Sequence, residues 1–164
     1  MRPEAGFQIK AADGRIGRQR FAIVIPAYNH GRTVAGVVRQ ARRLNLPVIV
    51  VNDASTDRTA EIVRGVSQSD PRITLREHKE NQGVGGAIVS GYKRARDPEM
   101  DVTVVMAGDA QMDPVDLPRI VEPVAENDAD YSKGNRLFYG DAWKMIPHYR
   151  YLGNSLLSLM TKMA

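Results

Sequence analysis

Three runs of apolar, mostly β-branched residues limit what this chain can fold into: Phe21–Ile25, Val48–Val51 and Val102–Met106. None alternates apolar with polar residues, so each reads as a strand buried on both faces. Each breaks off into polar chain. Pro26 stops the first and opens the loop Pro26–Gly31, the second runs into Asn52–Asp57, and the third into Gly108–Pro114. Stripes at helical spacing lie between them. One is Val34, Val37, Val38, Ala41 and Leu44, and a second is Ile62, Val63 and Val66 behind Asp57 as N-cap. The third is Val84, Ala87, Ile88, Gly91, Tyr92 and Ala95. A less apolar strand, Arg72–Arg76, is expected nearer an edge. Asp113-Pro114 reads as the N-cap and first residue of a helix presenting Leu117, Ile120, Val121, Val124 and Ala125. Alternation of this kind predicts an α/β fold, a mostly parallel sheet with helices on both faces.

At 164 residues the chain makes one domain. It has no cysteine, which excludes disulfides and thiolate metal sites. No apolar run approaches the roughly 18 residues of a membrane span. Residues 1–20 form a polar lead-in without the apolar core of a signal peptide, so a cytoplasmic location is expected. The net charge of +4 is uneven: residues 1–50 hold nine Lys/Arg against two Asp/Glu. A basic third can face acidic lipid. It lacks the interleaved aromatics of a single-strand binder, so no nucleic-acid partner is expected. Ala129–Lys133 reads as a further strand running into Gly134-Asn135-Arg136, and Phe138–Pro147 as a loop or short helix. The stripe Leu152, Leu156, Leu159, Met160 and Met163 reaches the last residues with no terminator. The expectation is a domain cut short at its C-terminus, with Leu152–Met163 needing a partner surface, which a homodimer would supply.

Several motifs drop out. Gly83-Val84-Gly85 offers G-x-G, but Ile88 stands where the third glycine of a dinucleotide fingerprint belongs, and the run follows the wrong strand. There is no G-x-x-x-x-G-K-[ST] loop. His30, His78 and His148 show no ligand spacing and read as surface or loop residues, and no serine has the context of a strained nucleophile elbow. Four polar loops remain, Pro26–Gly31, Asn52–Asp57, Asn81–Gly86 and Gly108–Asp113. A parallel sheet places them along one edge, at the carboxyl ends of its strands, where such sheets bind ligands. Tyr28 offers a face for a base, Asp53 an acceptor for a base N–H, and Asp109 with Gln111 hard oxygen ligands for a divalent cation. Glycine-loop N–H groups could face a phosphate. Each residue alone is an ordinary turn or packing residue; their joint order is specific.

Those stretches together resemble family 2 glycosyltransferases of the GT-A fold, in particular the polyprenyl- and dolichyl-phosphate sugar synthases. The resemblance runs from about residue 20 to 164 through Val24-Ile25-Pro26-Ala27-Tyr28-Asn29, Val51-Asn52-Asp53-Ala54-Ser55-Thr56-Asp57, Asn81-Gln82-Gly83-Val84-Gly85-Gly86-Ala87, Gly108-Asp109-Ala110-Gln111-Met112-Asp113-Pro114 and Gly134-Asn135-Arg136. It implies a Rossmann-like GT-A catalytic domain over 21–164. It also implies a donor site in which Pro26 and Tyr28 flank the base and Asp53 reads its N–H, uracil or guanine, with Asn29 and Gly83 beside them. Asp109 matches the second acid of the D-x-D motif, which holds Mg2+ or Mn2+ on the donor diphosphate, and Gln111 matches a supporting ligand. Arg136 matches a basic residue near the phosphates, so Asp109 and Arg136 are the expected catalytic residues. Asp113 is accounted for by its N-cap role. Ala107 stands where the first D-x-D acid is usual, and His30 where the family often has glutamate.

The activity implied is metal-assisted, inverting transfer of a sugar from a UDP- or GDP-sugar to a lipid-phosphate acceptor at the inner membrane surface. The alternatives are a carbohydrate hydroxyl as acceptor, or a catalytically weak nucleotide-binding module. A sugar-phosphate nucleotidyltransferase would need a Gly-rich, basic loop after its first strand, which Pro26–Gly31 is not.

Overall fold

Strand β2 (Gln19–Ala27) is buried from Phe21 to its last residue, because helices cover both of its faces. The computed structural model describes residues 15, 16, 19–134 and 160. Its contacts fall into two units, Met1–Ser132 and Lys133–Ala164, and the description below concerns the first. Arg136, Phe138–Pro147, His148 and, Met160 apart, the Leu152–Met163 stripe lie outside the described residues.

β2 pairs in parallel with β3 (Val48–Asn52) on one side, from Ile23 opposite Val48 to Ala27 opposite Asn52. On the other side it pairs in parallel with β5 (Val102–Val105), from Phe21 opposite Val102 to Val24 opposite Val105. β4 (Ile73–Glu77) pairs with β3 and is the outer strand, as its weaker apolarity predicts. A two-residue strand, β1 (Arg15–Ile16), pairs antiparallel with the start of β2. The chain thus steps outward from β2 to β3 and β4, then returns past β2 to β5. The direction of winding reverses between β2 and β5, and at such a reversal open α/β sheets form their ligand crevice, at the carboxyl ends of the strands.

One face of the sheet carries α1 (Val34–Arg42), α2 (Thr59–Ser69) and α4 (Leu117–Ala125). Their Val37, Val38, Val63 and Val121 share a core with Ile23, Ile25, Val48, Val50, Val104 and Met106. The other face carries α3 (Gly83–Arg96), where Ala87 and Ala95 pack with Ala22, Ile49 and Val51. Ala87, Gly91 and Ala95 recur every fourth residue and are all small. A Cβ built on Gly91 would lie 2.2 Å from Val24 Cγ1, so α3 sits as close to β2 as a backbone can. Close seating leaves the bulkier members of the expected stripe outside, with Val84 69% and Tyr92 44% exposed. No helix among the described residues is long and apolar enough to cross a membrane.

Three local expectations need correction. Pro26 does not end its strand; β2 continues through it to Ala27. Ile23 takes its bond from the β3 side (Ile23 N to Pro47 O) and Val24 serves the β5 side (Met106 N to Val24 O). By alternation, residue 26 points its missing N–H toward β5, which has already stopped at Val105. The helix behind Asp57 starts at Thr59, so Arg58 is the formal N-cap, while Asp57 supplies the capping oxygen. Ala129–Lys133 is not a strand. The N–H groups of Asp128 and Ala129 both turn back to Pro123 O, closing the end of α4. Asp113 does cap as expected, its side chain accepting from Val115 N ahead of a 3-10 turn, Pro114–Asp116.

Candidate active site

The loop after β2 is tied to the loop after β3. Asn29 Oδ1 accepts from Thr56 N (2.8 Å), Thr56 Oγ1 (3.3 Å) and Asp57 N (3.4 Å), and Asn29 N donates to Ser55 Oγ (3.0 Å). Asp57 answers from the other loop: Oδ2 accepts from Gly31 N (2.9 Å) and Oδ1 from Thr59 N and Oγ1. The Thr59 hydroxyl, aided by these N–H donors and opposed by burial, holds the Asp57 carboxyl below the usual carboxylate range. Asn29 is therefore spent on holding the loops together. Tyr28 beside it is 45% exposed at the rim, while Pro26 is buried in the strand.

Asp53 follows β3 and is only 2% exposed. Its N–H donates to Ala27 O, fixing it beside the end of β2. Its carboxylate Oδ1 lies 2.7 Å from His78 Nδ1 and accepts from Gln82 N at 2.9 Å. His78 Nε2 in turn lies 2.8 Å from Ser90 Oγ on α3. A carboxylate only accepts, so Nδ1 carries the proton and, in a neutral ring, Nε2 accepts the serine hydroxyl. His78 lies in a loop, as expected, but not at the surface: its side chain is 4% exposed and joins the loops after β3 and β4 to α3. Asp53 Oδ2 has no protein donor among the described residues. Gly83 opens α3 next to this cluster, with φ of 75° and its N–H on Asn81 Oδ1 (3.0 Å).

The loop after β5 closes the crevice from the other side. Thr33 Oγ1 donates to Gly108 O at 2.7 Å. A Cβ on Gly108 would lie 2.8 Å from His30 Nδ1 and 3.3 Å from Pro26 O, so only glycine allows this approach. His30 is likewise half-buried rather than a surface residue, and its Nδ1 has no partner among the described residues. Asp109 Oδ1 accepts from Gln111 N (3.0 Å) in a tight turn, and Gln111 is exposed. Asn29, Ala54 and Ala110, one in each of three loops, have φ of 55°, 55° and 64°. For the two alanines this left-handed backbone costs about 1–2 kcal/mol each, a strain concentrated at functional sites.

Pro26 at the end of β2, Gly83 at the start of α3, and Tyr28, Asn29, Asp53, Asp109 and Gln111 in the loops between thus lie along one sheet edge. Thr33, His78, Gln82 and Ser90 join them without having been foreseen. Among the described residues no three His, Asp or Glu gather as a metal cage. Asp109 keeps Oδ2 unbonded, Ala107 offers no ligand, and one Asp113 oxygen caps a turn. One carboxylate fits Mg2+ or Mn2+ only as an ion shared with substrate phosphates, which is how Mg2+ is usually held.

The family model described as glycosyl transferase family 2 matches residues 22–162. The UDP-N-acetylglucosamine–dolichyl-phosphate N-acetylglucosaminyltransferase of Methanococcus voltae is 28% identical over 152 residues, covering 85% of this chain and 61% of the relative. The dolichol-phosphate mannosyltransferase of Pyrococcus furiosus is 31% identical over 137 residues, covering 81% of this chain and 38% of the relative. The chain thus spans less than two thirds of the length of these curated relatives. Among solved structures, a mannosyltransferase from Pyrobaculum calidifontis in complex with GDP-Man and Mn2+ superposes with a TM-score of 0.54. It is 27% identical, over 64% of this chain and 32% of that one. This likeness bears out the expected α/β GT-A fold.

Proposed function

The chain belongs to glycosyltransferase family 2, and on that premise we propose that its crevice binds a nucleotide-sugar and that the protein transfers the sugar, with inversion, to a polyprenyl- or dolichyl-phosphate lipid at the membrane surface. The observation that carries the reading is Asp53, a buried carboxylate fixed through one oxygen with the other left to accept a base N–H. Tyr28 supplies an aromatic face at the rim. Asn29 and Asp57 hold the loops that frame the base, and Thr33 fastens the loop that presents Asp109. A divalent ion on the diphosphate would rest on Asp109 and Gln111 and would neutralise charge on the leaving group. Arg136 would add a cation for the phosphates.

The chemistry of the loops and the lipid-phosphate names of the relatives both support a lipid acceptor. A phosphate is already ionised at neutral pH and attacks without a base, whereas a hydroxyl needs one. Among the acids of these loops, Asp57 is bonded through both oxygens, Asp53 is assigned to the base and Asp109 to the ion, so no carboxylate is spare for that task. The test is transfer of radiolabelled sugar from UDP- and GDP-sugars, offered a short polyprenyl phosphate or an oligosaccharide. Label entering the organic phase, and lost in Asp53→Ala, is the expected result. Label on the oligosaccharide alone would overturn the acceptor assignment.

A further inference from the structure

Nothing above decides which base the crevice takes. We propose that His78, backed by Ser90, sets Asp53 to accept a single N–H and so selects uracil over guanine and cytosine; this rests on the nucleotide-binding reading of the same site. The argument is a count of lone pairs. A carboxylate oxygen has two in-plane acceptor positions. On Asp53 Oδ1 both are filled, by His78 Nδ1 at 2.7 Å and by Gln82 N at 2.9 Å. Among the described residues only Oδ2 keeps its acceptor positions open.

Guanine presents two adjacent donors, N1–H and the 2-amino group, which suit the two oxygens of one carboxylate. Here the second oxygen is taken, so one guanine donor would be buried without its carboxylate partner, and such a loss is strongly discriminating. Uracil presents a single donor, N3–H, between two carbonyls, and matches one free oxygen. Cytosine turns an acceptor, N3, toward Oδ2 and is repelled. His78 is a positioning residue in this scheme. Its Nδ1–H fills one lone pair, and the Ser90 hydroxyl on Nε2 fixes the ring that delivers it.

The experiment is calorimetric titration of the whole chain with UDP, GDP and CDP. UDP is expected to bind at least about tenfold more tightly than either of the others. GDP binding as tightly as UDP overturns the specificity inference and leaves the nucleotide site standing. No binding of any of the three overturns the nucleotide reading itself. His78→Leu removes the donor and is expected to narrow the UDP-to-GDP ratio. His78→Asn, which can place an amide N–H where Nδ1 stood, is expected to keep it. Equal weakening of both nucleotides in His78→Leu would show a merely structural histidine.

Asp53→Asn tests the same geometry without removing volume. The backbone N–H of Gln82 cannot become an acceptor, so the amide oxygen must face it and the NH2 must take the place of Oδ2. That exchange predicts loss of UDP binding with a gain for CDP. Loss of UDP with no gain for CDP overturns the claim that Gln82 and His78 fix the orientation of residue 53.

Discussion

Replacing Gly91 by alanine tests how α3 is seated. The added methyl would lie 2.2 Å from Val24 Cγ1, with Cγ2 at 3.2 Å and Cβ at 3.3 Å. Carbon atoms in contact sit about 3.5 Å apart or more, so something must give by over 1 Å. Val24 is fully buried and β-branched, and all three of its outer carbons crowd the new methyl, so a χ1 rotation does not clear it. Overpacking of this kind costs about 1–3 kcal/mol. Alanine also returns about 1 kcal/mol of helix propensity. The net expectation is a destabilisation of up to about 2 kcal/mol, read as a lower urea midpoint at unchanged slope. Because α3 carries Ser90 and begins beside Gln82, the same shift should weaken nucleotide binding. A double-mutant cycle sharpens the test: Val24→Ala makes room, so adding Gly91→Ala to it should be neutral or stabilising. If Gly91→Ala alone stabilises the protein, α3 does not rest on β2 as described.

Two further outcomes follow. Mn2+ or Mg2+ should strengthen nucleoside-diphosphate binding in calorimetry, Asp109→Ala should abolish that gain, and the ions alone should give no isotherm; equal affinity in EDTA would refute the shared-ion arrangement. Asp57 has a folded-state pKa below its unfolded value, so its stabilisation is present above the ordinary carboxylate range and is lost as pH falls through the depressed value. Asp57→Asn should therefore be less stable than the parent at neutral pH and converge with it in strong acid, and a pH-independent difference between their melting curves would refute the linkage.

What was legible in the sequence was whatever burial alone determines. Phe21–Ile25 and Val48–Val51 declared themselves because helices cover both their faces, and Arg72–Arg76 because an outer strand need not be apolar. The loop acids Asp53 and Asp109 could be placed at the sheet edge by the same reasoning. What could not be read depends on a partner distant in the chain. His78 sits between Glu77 and Lys79, in a setting that looks wet. Only the pairing of β3 with β4 brings it beside Asp53, 25 residues earlier. A histidine directly following a strand, opposite an acid that ends the neighbouring strand, was the available clue. The buried face of α3 is narrower than its apolar stripe because periodicity does not distinguish a helix seated on small residues from one seated on large ones. Pro26 reads as a stop because the side toward which its nitrogen faces is a property of the sheet.

That nitrogen has a consequence for the protein before any ligand arrives. In the β2–β5 ladder the rung after Met106 N to Val24 O would be donated by residue 26. Proline cannot donate it, so the two strands cannot zip further together. The ladder's end is fixed by a covalent ring, and beyond it the chain after β5 is held by Thr33 on Gly108 O instead of by strand pairing. A cleft kept apart by weak contacts would spend part of its time shut, and its apparent affinity would fall by that fraction. Between β2 and β5 the end of the ladder is instead written into the residue itself.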